Sequence, residues 1–236
     1  MPGAMGGSDA PCELAEIGAA MTGAEVEGLF TQSDGRYRFS RWGRPIVPVV
    51  FGVEDATLAV IKGAIEAVVS LARHKMAATD PELGANLMLF FVRDWGDLAA
   101  VSQLESLVPG MAALCQRLEA RGANQYRVFH HDDNGAIKAA FVFLRMDVHL
   151  AAMPAEELAL AQAVRVILLW AEGAFADRGA LATLGSAGHA GTVILRPDIA
   201  AIIRAAYDPV MPAVARDKSH ALRLAARVDL AMGTLG

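Results

Sequence analysis

The segment from Pro154 to Phe175, with the sequence PAEELALAQAVRVILLWAEGAF, constrains the fold more than any other part of the chain. Its proline suits the first turn of a helix, because the missing amide hydrogen would be unpaired there, and the two following glutamates favour the positive end of the helix dipole. From Leu158 to Ala171 almost every residue is apolar. This run of about 14 residues is shorter than the roughly 20 that cross a bilayer. The segment is therefore predicted to be a long helix in the protein core.

Two polar residues, Gln162 and Arg165, interrupt this apolar segment one helical turn apart. Residues at this spacing lie on one side of a helix, so the pair predicts a shared polar seam. The pair could be structural, could form an exposed stripe or could contact a ligand. Both residues are therefore candidates for lining a cleft.

Length, charge and hydropathy narrow the possible classes of protein. The chain has 236 residues, enough for one domain with a substantial core, and residues 10–236 are predicted to form a single α+β domain. The net charge of -5 argues against nucleic-acid binding, which needs a concentrated positive field. The sequence contains no apolar run long enough for a transmembrane helix, so no membrane span is expected.

Neither the start of the chain nor its two cysteines decides between a periplasmic and a cytoplasmic location. Residues 1–9 lack the basic and apolar regions of a secretory signal and are interpreted as a disordered or added lead. The protein would be periplasmic if this lead replaces a signal peptide, and cytoplasmic otherwise. Cys12 and Cys115 form no metal-ligand or redox motif. They are expected to be isolated thiols, although an oxidising compartment would allow a bridge.

Arginines are interleaved with aromatic residues in RYRFSRWGRP, from Arg36 to Pro45. Aromatic rings between arginines can stack on nucleic-acid bases. The same alternation is typical of a half-buried edge strand, and the acidic net charge favours the strand. A further alternative is a homodimer interface formed by Tyr37, Phe39 and Trp42.

The remaining elements follow from periodicity and turn residues. IVPVVFG is predicted to be a strand whose Pro48 favours an edge position or a bulge, and NLMLFFV to be a buried strand. An irregular loop containing His189 is expected at residues 176–193. Helices are predicted over residues 10–28, Asp55–His74, Trp95–Leu104, Met111–Arg121, Pro197–Tyr207 and Pro212–Met232.

The stretch QYRVFHHDDNGAIKAAFVFLRMD is predicted to form a β-hairpin. Two strand-like runs flank DDNG, and Asn134-Gly135 accepts the positive φ angles of a tight turn. His130, His131 and the following aspartates are also natural metal ligands. Adjacent strand residues point to opposite faces of a sheet, however, so the hairpin is favoured and no metal site is predicted.

The second strand of the hairpin is expected to continue to His149 and to place Arg145, Asp147 and His149 on one face beside the long helix. These residues would form either a solvated strand end or a polar site. Histidine and carboxylate together can perform general acid–base catalysis. A hydrolase built from these three residues, with Gln162 or His189, is therefore one alternative function.

The order of strand, helix, strand, hairpin, long helix, loop and terminal helices, together with RWGRPIVPVVFG and LRPDIAAIIRAAYDPVMP, resembles an uncharacterised bacterial domain family with a zincin-like fold, related to metallopeptidases. The resemblance extends over Arg41–Arg227. It implies an α+β fold in which a small mixed sheet with a β-hairpin packs on a long central helix and C-terminal helices close the structure. Proteins of this kind are commonly exported.

Active zincins present His-Glu-x-x-His on the central helix, where two histidines bind zinc and the glutamate activates water. The resemblance places this motif at Gln162-Ala163-Val164-Arg165-Val166, which lacks both histidines and the glutamate. No two histidines anywhere in the chain are four residues apart. We therefore expect no catalytic residues, metal or cofactor. The leading prediction is an inactive relative that binds a peptide, a protein or a small ligand, with Val166 also lining the cleft. A homo-oligomeric assembly protein is another alternative.

Overall fold

The structure, a computed structural model, describes residues 21–185 and 191–233. It is a mixed α+β protein whose chain divides into two compact units. The contiguous unit is Phe39–Leu169, and the two-segment unit is formed by Met1–Arg38 with Trp170–Gly236. That the chain is one domain stays a prediction.

Nine helices and eight strands occur within the described ranges. The helices are α1 (Gly23–Phe30), α2 (Asp55–Leu71), α3 (Trp95–Ala99), α4 (Ser102–Leu107), α5 (Met111–Ala120), α6 (Val148–Ala151), α7 (Ala155–Ile167), α8 (Pro197–Ala206) and α9 (Ser219–Gly233). The strands are β1 (Phe39–Ser40), β2 (Pro48–Phe51), β3 (Leu87–Val92), β4 (Gln125–His131), β5 (Ile137–Arg145), β6 (Leu181–Leu184), β7 (Thr192–Leu195) and β8 (Val214–Ala215).

A four-stranded mixed sheet organises the contiguous unit, with the strand order β2-β3-β5-β4. Strands β2, β3 and β5 run parallel, and β4 pairs antiparallel with β5. Proline cannot donate to a central ladder, which is why Pro48 predicted an edge strand. That prediction is confirmed, because β2 is the first strand in the order.

Side chains alternate between the two faces of this sheet. Phe90 of β3 and Phe141 and Phe143 of β5 share a hydrophobic cluster with residues of α3, α4 and α5. The other face carries Leu89 and Val142, which are register partners and almost fully buried. Helices α2 and α7 pack against each other, and the hydrogen bond from Arg127, the register partner of Val142, to Gln162 places α7 on that side. The sheet is thus covered by helices on both faces.

The long central helix is shorter than predicted. It begins at Ala155, with Pro154 as its N-cap, and ends at Ile167 rather than at Phe175. Leu168 is extended, with φ -137° and ψ 158°, and pairs with Arg41. The indole N–H of Trp42 donates to the carbonyl of Val166 at 2.8 Å, which satisfies one acceptor of the last turn. The apolar run continues past this point in extended form. Its side chains can be buried in an extended segment as well as in a helix.

Several other boundaries differ from the sequence predictions. Helix α2 ends at Leu71, before His74, and residues 95–121 contain three helices rather than two, because Val101 is extended between α3 and α4. The expected loop at 176–193 contains β6 and the first two residues of β7, and the two strands pair antiparallel. The last helix begins at Ser219, not at residue 212. The helix predicted over 10–28 lies mostly outside the described residues, which include α1, capped by Thr22.

The predicted hairpin is confirmed, but its turn is of another kind. Strands β4 and β5 pair with a register shift at His130 and His131. Gly135 has φ +85°, whereas Asn134 does not have a positive φ angle. The Gly135 N–H donates to the Asp132 carbonyl at 2.9 Å, so the turn spans 132–135 and only its last residue needs the left-handed region.

In the two-segment unit, α9 packs against both α1 and α8. The rings of Phe30 and Trp170 stack with their centres 5.2 Å apart. The Tyr37 hydroxyl and Nδ1 of His220 share a hydrogen bond of 2.7 Å in the interior. Across both units, no described helix has the length and apolar character that crossing a membrane requires.

Candidate functional site

The predicted polar lip does not form on one strand face. Strand β5 ends at Arg145, whose Nη1 pairs with Glu119 at 3.2 Å. Asp147 turns the chain into α6 by accepting the backbone N–H groups of His149 and Leu150 at 3.0 and 2.9 Å. These bonds and one from Asn124 hold the pKa of Asp147 below its usual range, the Leu150 N–H contributing most.

Because Asp147 is a helix cap, it does not alternate with Arg145 and His149 along a strand. His149 is exposed on α6. The expectation of one shared strand face was therefore wrong, since it assumed that the strand continues past Arg145. Arg145 is paired with Glu119, and the Asp147 carboxylate accepts backbone N–H groups of α6.

Gln162 belongs to a buried polar cluster that the sequence only half reveals. Its Nε2 donates to Oε1 of Gln125 at 3.1 Å, and its Oε1 accepts from Nη2 of Arg127. The same Nη2 also donates to Oε1 of Gln125 at 2.8 Å. Arg165, one turn further along α7, is half-buried, and burial lowers its pKa. Val166 is only 2% exposed.

Gln125 and Arg127 were missed because they were treated only as part of a hairpin strand. Their alternation carries the missing signal, since residues two apart on a strand share a face. Gln125 and Arg127 stand opposite Leu144 and Val142, whose side chains lie on the face covered by α7. A pair of polar residues on the inward face of a strand is the pattern to look for.

The three aromatic rings of the predicted edge strand are buried, and the strand itself is only Phe39–Ser40. Tyr37, Phe39 and Trp42 are 3%, 1% and 1% exposed. Arg44 is occupied by Asp80 at 3.4 Å and Glu82 at 3.0 Å. The rings proposed to form an interface are therefore core residues.

The part of the chain that the structure describes contains neither a cluster of metal ligands nor a cluster of thiols. No group of three or more His, Cys, Asp or Glu side chains is placed there to hold a metal ion. His130 packs on Phe141 with ring centres 5.1 Å apart. Cys115 is buried in the core, and burial raises the pKa of its thiol. Cys12 and His189 lie outside the described residues.

An apolar cavity of about 780 Å³ lies where β2 and β3 end and α3 and α4 begin. Phe51 and Phe90 stack at its wall with ring centres 4.7 Å apart and an interplanar angle of 13°. Phe51 is 45% exposed and Val101 40%, so the wall reaches the surface. Other apolar lining residues are Met88, Phe91, Val92, Leu98, Leu104, Leu107 and Met146.

Three polar side chains also line this cavity: Arg93, Asp97 and Gln103. Asp97 accepts the Asp94 N–H at 3.2 Å and so helps to begin α3. Arg93 is exposed directly after β3, and no carboxylate in the described residues pairs with it. The cavity therefore combines an apolar wall with one available cation.

A second cavity of about 300 Å³ lies between α2, α6 and α7 and shares Gly52, Phe91 and Met146 with the first. Gly52 has φ +83°, and a Cβ at this position would lie 2.0 Å from the Phe91 carbonyl oxygen. Only glycine can hold the two strand ends this close. The two residues of this close approach, Gly52 and Phe91, line both cavities.

A buried amide fixes the other end of the same two strands. Asn86, which is 0% exposed, accepts the Val47 N–H at 2.8 Å and donates to the Pro45 carbonyl at 2.9 Å and to Asp80 at 3.1 Å. These bonds hold the segments that precede β2 and β3. The cavity at their far ends is thus built on a rigid strand pair.

No family model, curated protein or solved structure matches this chain. The resemblance to zincin-like proteins stays a prediction.

Proposed function

We propose that the chain is a binding module for a small, mainly apolar ligand, carried on a zincin-like scaffold without peptidase activity. The observation that carries this proposal is the 780 Å³ cavity at the carboxyl ends of β2 and β3. Small-molecule sites typically have volumes of roughly 300–1,000 Å³, apolar and aromatic walls, and a few polar groups. In sheets with parallel strands, the carboxyl edge is also the usual location of a ligand.

The lining favours a flat or flexible apolar molecule with one polar end. The stacked rings of Phe51 and Phe90 offer an aromatic wall, and the thioethers of Met88 and Met146 can adapt to different shapes. Arg93 stands at the polar part of the lining. A hydroxyl, carbonyl or carboxylate of the ligand would accept a hydrogen bond from its guanidinium.

The zincin-like part of the proposal is supported by the order of elements, in which α2 joins two strands and a hairpin precedes α7. The absence of peptidase activity is supported by the α7 sequence, where Gln162 and Val166 occupy the expected ligand positions. Peptide hydrolysis by the purified protein that a chelator stops, and that Gln162→Ala abolishes, would contradict this part.

A titration with the neutral probe N-phenyl-1-naphthylamine tests the cavity. We expect its fluorescence to rise on binding to the folded protein. Val101→Trp places a large ring at the exposed wall of the cavity and should weaken probe binding at least tenfold, or about 1.4 kcal/mol. Val148→Trp is the matched control, because Val148 is 79% exposed and lies outside the lining.

The two variants separate a specific site from general stickiness. Equal probe affinity in wild type, Val101→Trp and Val148→Trp would refute the cavity as the binding site. So would the absence of any saturable binding to wild type. Near-UV circular dichroism of each sample confirms that the probe reports on folded protein, since partly folded states also bind apolar dyes but lose this signal.

A further inference from the structure

Arg93 brings a positive charge to the apolar cavity at the carboxyl ends of β2 and β3. It is the first residue after β3, is exposed and belongs to the lining of the cavity. Among the ion pairs within residues 21–185 and 191–233, none includes Arg93. Arginine can lay its aliphatic stem along an apolar wall while its guanidinium stays in water. A ligand in this cavity would therefore meet the charge of Arg93 at the solvent side.

Two further polar side chains of the lining differ in what they offer a ligand. Gln103 is exposed and carries an amide that can donate two hydrogen bonds. Asp97 is the acidic residue of the lining, and its Oδ2 accepts the Asp94 N–H at 3.2 Å where α3 begins. A carboxylate at this place repels a ligand anion and attracts a ligand cation. Arg93 and Asp97 thus favour opposite kinds of head group.

The guanidinium has more to gain from a ligand than the carboxylate has. Arginine has five N–H donors, and Arg93 has no carboxylate partner within the described chain, whereas Asp97 already accepts a backbone N–H. A carboxylate also matches a guanidinium with two parallel charge-assisted N–H bonds. An ammonium group bound to Asp97 would bind as a single point charge, in a cavity that also holds the positive charge of Arg93.

We infer that the ligand of this cavity is an apolar carboxylate, whose head group binds Arg93 while its apolar body lies against the stacked rings of Phe51 and Phe90. This inference rests on the proposed function and adds the chemical class of the head group. Burial of the apolar body supplies most of the affinity, because an exposed ion pair contributes little by itself. Arg93 determines the specificity among ligands that share one body. A fatty acid and an aromatic acid both have this chemistry.

Isothermal titration calorimetry with three ligands of equal chain length tests the head group. The ligands are decanoate, decan-1-ol and decylamine, each kept below the concentration at which it forms micelles. Wild type should bind decanoate at least about threefold more tightly than decan-1-ol, and decylamine most weakly. A hydroxyl loses less hydration than a carboxylate does, so a preference for decanoate requires a specific cation. 2-Naphthoate in the same assay distinguishes a ring from a chain as the body of the ligand.

Arg93→Met removes the charge and keeps an unbranched side chain. It should weaken decanoate binding at least about threefold and should not weaken the binding of decan-1-ol. Arg121→Met is the matched control, because Arg121 is exposed directly after α5 and lies outside the lining. It should leave both affinities unchanged.

The outcomes separate this inference from the proposed function. Tightest binding of decylamine would overturn the inference, because Asp97 would then decide the specificity. An Arg93→Met variant that binds decanoate as tightly as wild type, or that loses decanoate and decan-1-ol affinity equally, would also overturn it. Saturable binding of decan-1-ol and of N-phenyl-1-naphthylamine without a preference for decanoate would overturn only the carboxylate. No saturable binding of any of these ligands would overturn the proposed function as well.

Discussion

Acidification should destabilise the two-segment unit through one buried histidine. His220 of α9 is 0% exposed and shares a 2.7 Å hydrogen bond with the Tyr37 hydroxyl. Burial, with a smaller contribution from the charge of Arg223, lowers the pKa of His220 to about 4. Burial also raises the pKa of Tyr37, so both partners are held in their neutral forms.

The sign and the size of the pH effect on stability follow from the difference between the pKa of this histidine in the folded chain and in the unfolded chain. The unfolded chain binds a proton on this histidine at a pKa of about 6.5, whereas the folded chain binds it only near 4. Between these two values the unfolded state holds more protons, so stability falls as the pH falls. From about pH 7.5 to about pH 5, linkage predicts a loss of about 2 kcal/mol from this one group.

Urea unfolding followed by circular dichroism and tryptophan fluorescence measures the effect, because Trp170 belongs to the same unit as His220. His220→Gln removes the titrating group. Its free energy of unfolding should change by about 2 kcal/mol less than that of wild type over the same pH range. Carboxylates and the other histidines contribute to both proteins and cancel in the comparison.

His149→Gln is the matched control, since His149 is exposed on α6. It should keep the pH dependence of wild type. If His220→Gln and wild type lost the same amount of stability between the two pH values, the burial argument would be refuted. A change of the same size in the His149 variant would also refute it, because the effect would then not depend on burial.

Two further substitutions test the geometry that supports the apolar cavity, with the free energy of unfolding as the measurement. Gly52→Ala should cost about 2–3 kcal/mol, because Gly52 has a positive φ angle and the added Cβ would lie 2.0 Å from the Phe91 oxygen. The control Gly63→Ala, in an open helical position of α2, should stabilise the protein by about 0.5–1 kcal/mol. Equal effects of the two substitutions would contradict the argument from the close approach. Asn86→Ala should cost about 3 kcal/mol, because it leaves buried polar groups unpaired. The control Asn134→Ala, at an exposed position, should change stability by less than about 0.5 kcal/mol. A similarly small loss of stability in Asn86→Ala would show that water replaces the amide.

Local patterns predicted the sheet and most of its helices. The periodicity of α2, the edge position indicated by Pro48 and the hairpin around Gly135 depend on residues that are close in sequence. Each of these features has one favoured backbone solution. Such signals do not need tertiary information, which is why these elements were predicted with nearly correct bounds.

The end of α7 could not be predicted in this way. The sequence remains apolar through Leu168 and Trp170, and an apolar run is compatible with a buried helix or a buried extended segment. The pairing of Leu168 with Arg41 and the bond from Trp42 decide the outcome. Both partners are more than a hundred residues away in the chain.

The candidate sites could not be predicted for the same reason, because they depend on residues that are far apart in the sequence. The lining of the apolar cavity comes from β2, β3, α3, α4 and the residue after β5, and each segment by itself has the composition of an ordinary core. The sequence identified Gln162 and Arg165 but not Arg127, whose proximity depends on the β4–β5 register. Three of the six predicted cleft residues, Arg145, Asp147 and His149, depended on a strand that ends too early.

The division of the chain into a contiguous and a two-segment unit has a consequence for biosynthesis. Domains fold from the N-terminus as they emerge from the ribosome. Every residue of the Phe39–Leu169 unit is available once Leu169 has emerged. Helix α1 is made earlier, but its packing partner α9 begins only at Ser219. The first helix of the described chain therefore cannot pack against α9 until after the contiguous unit has been synthesised.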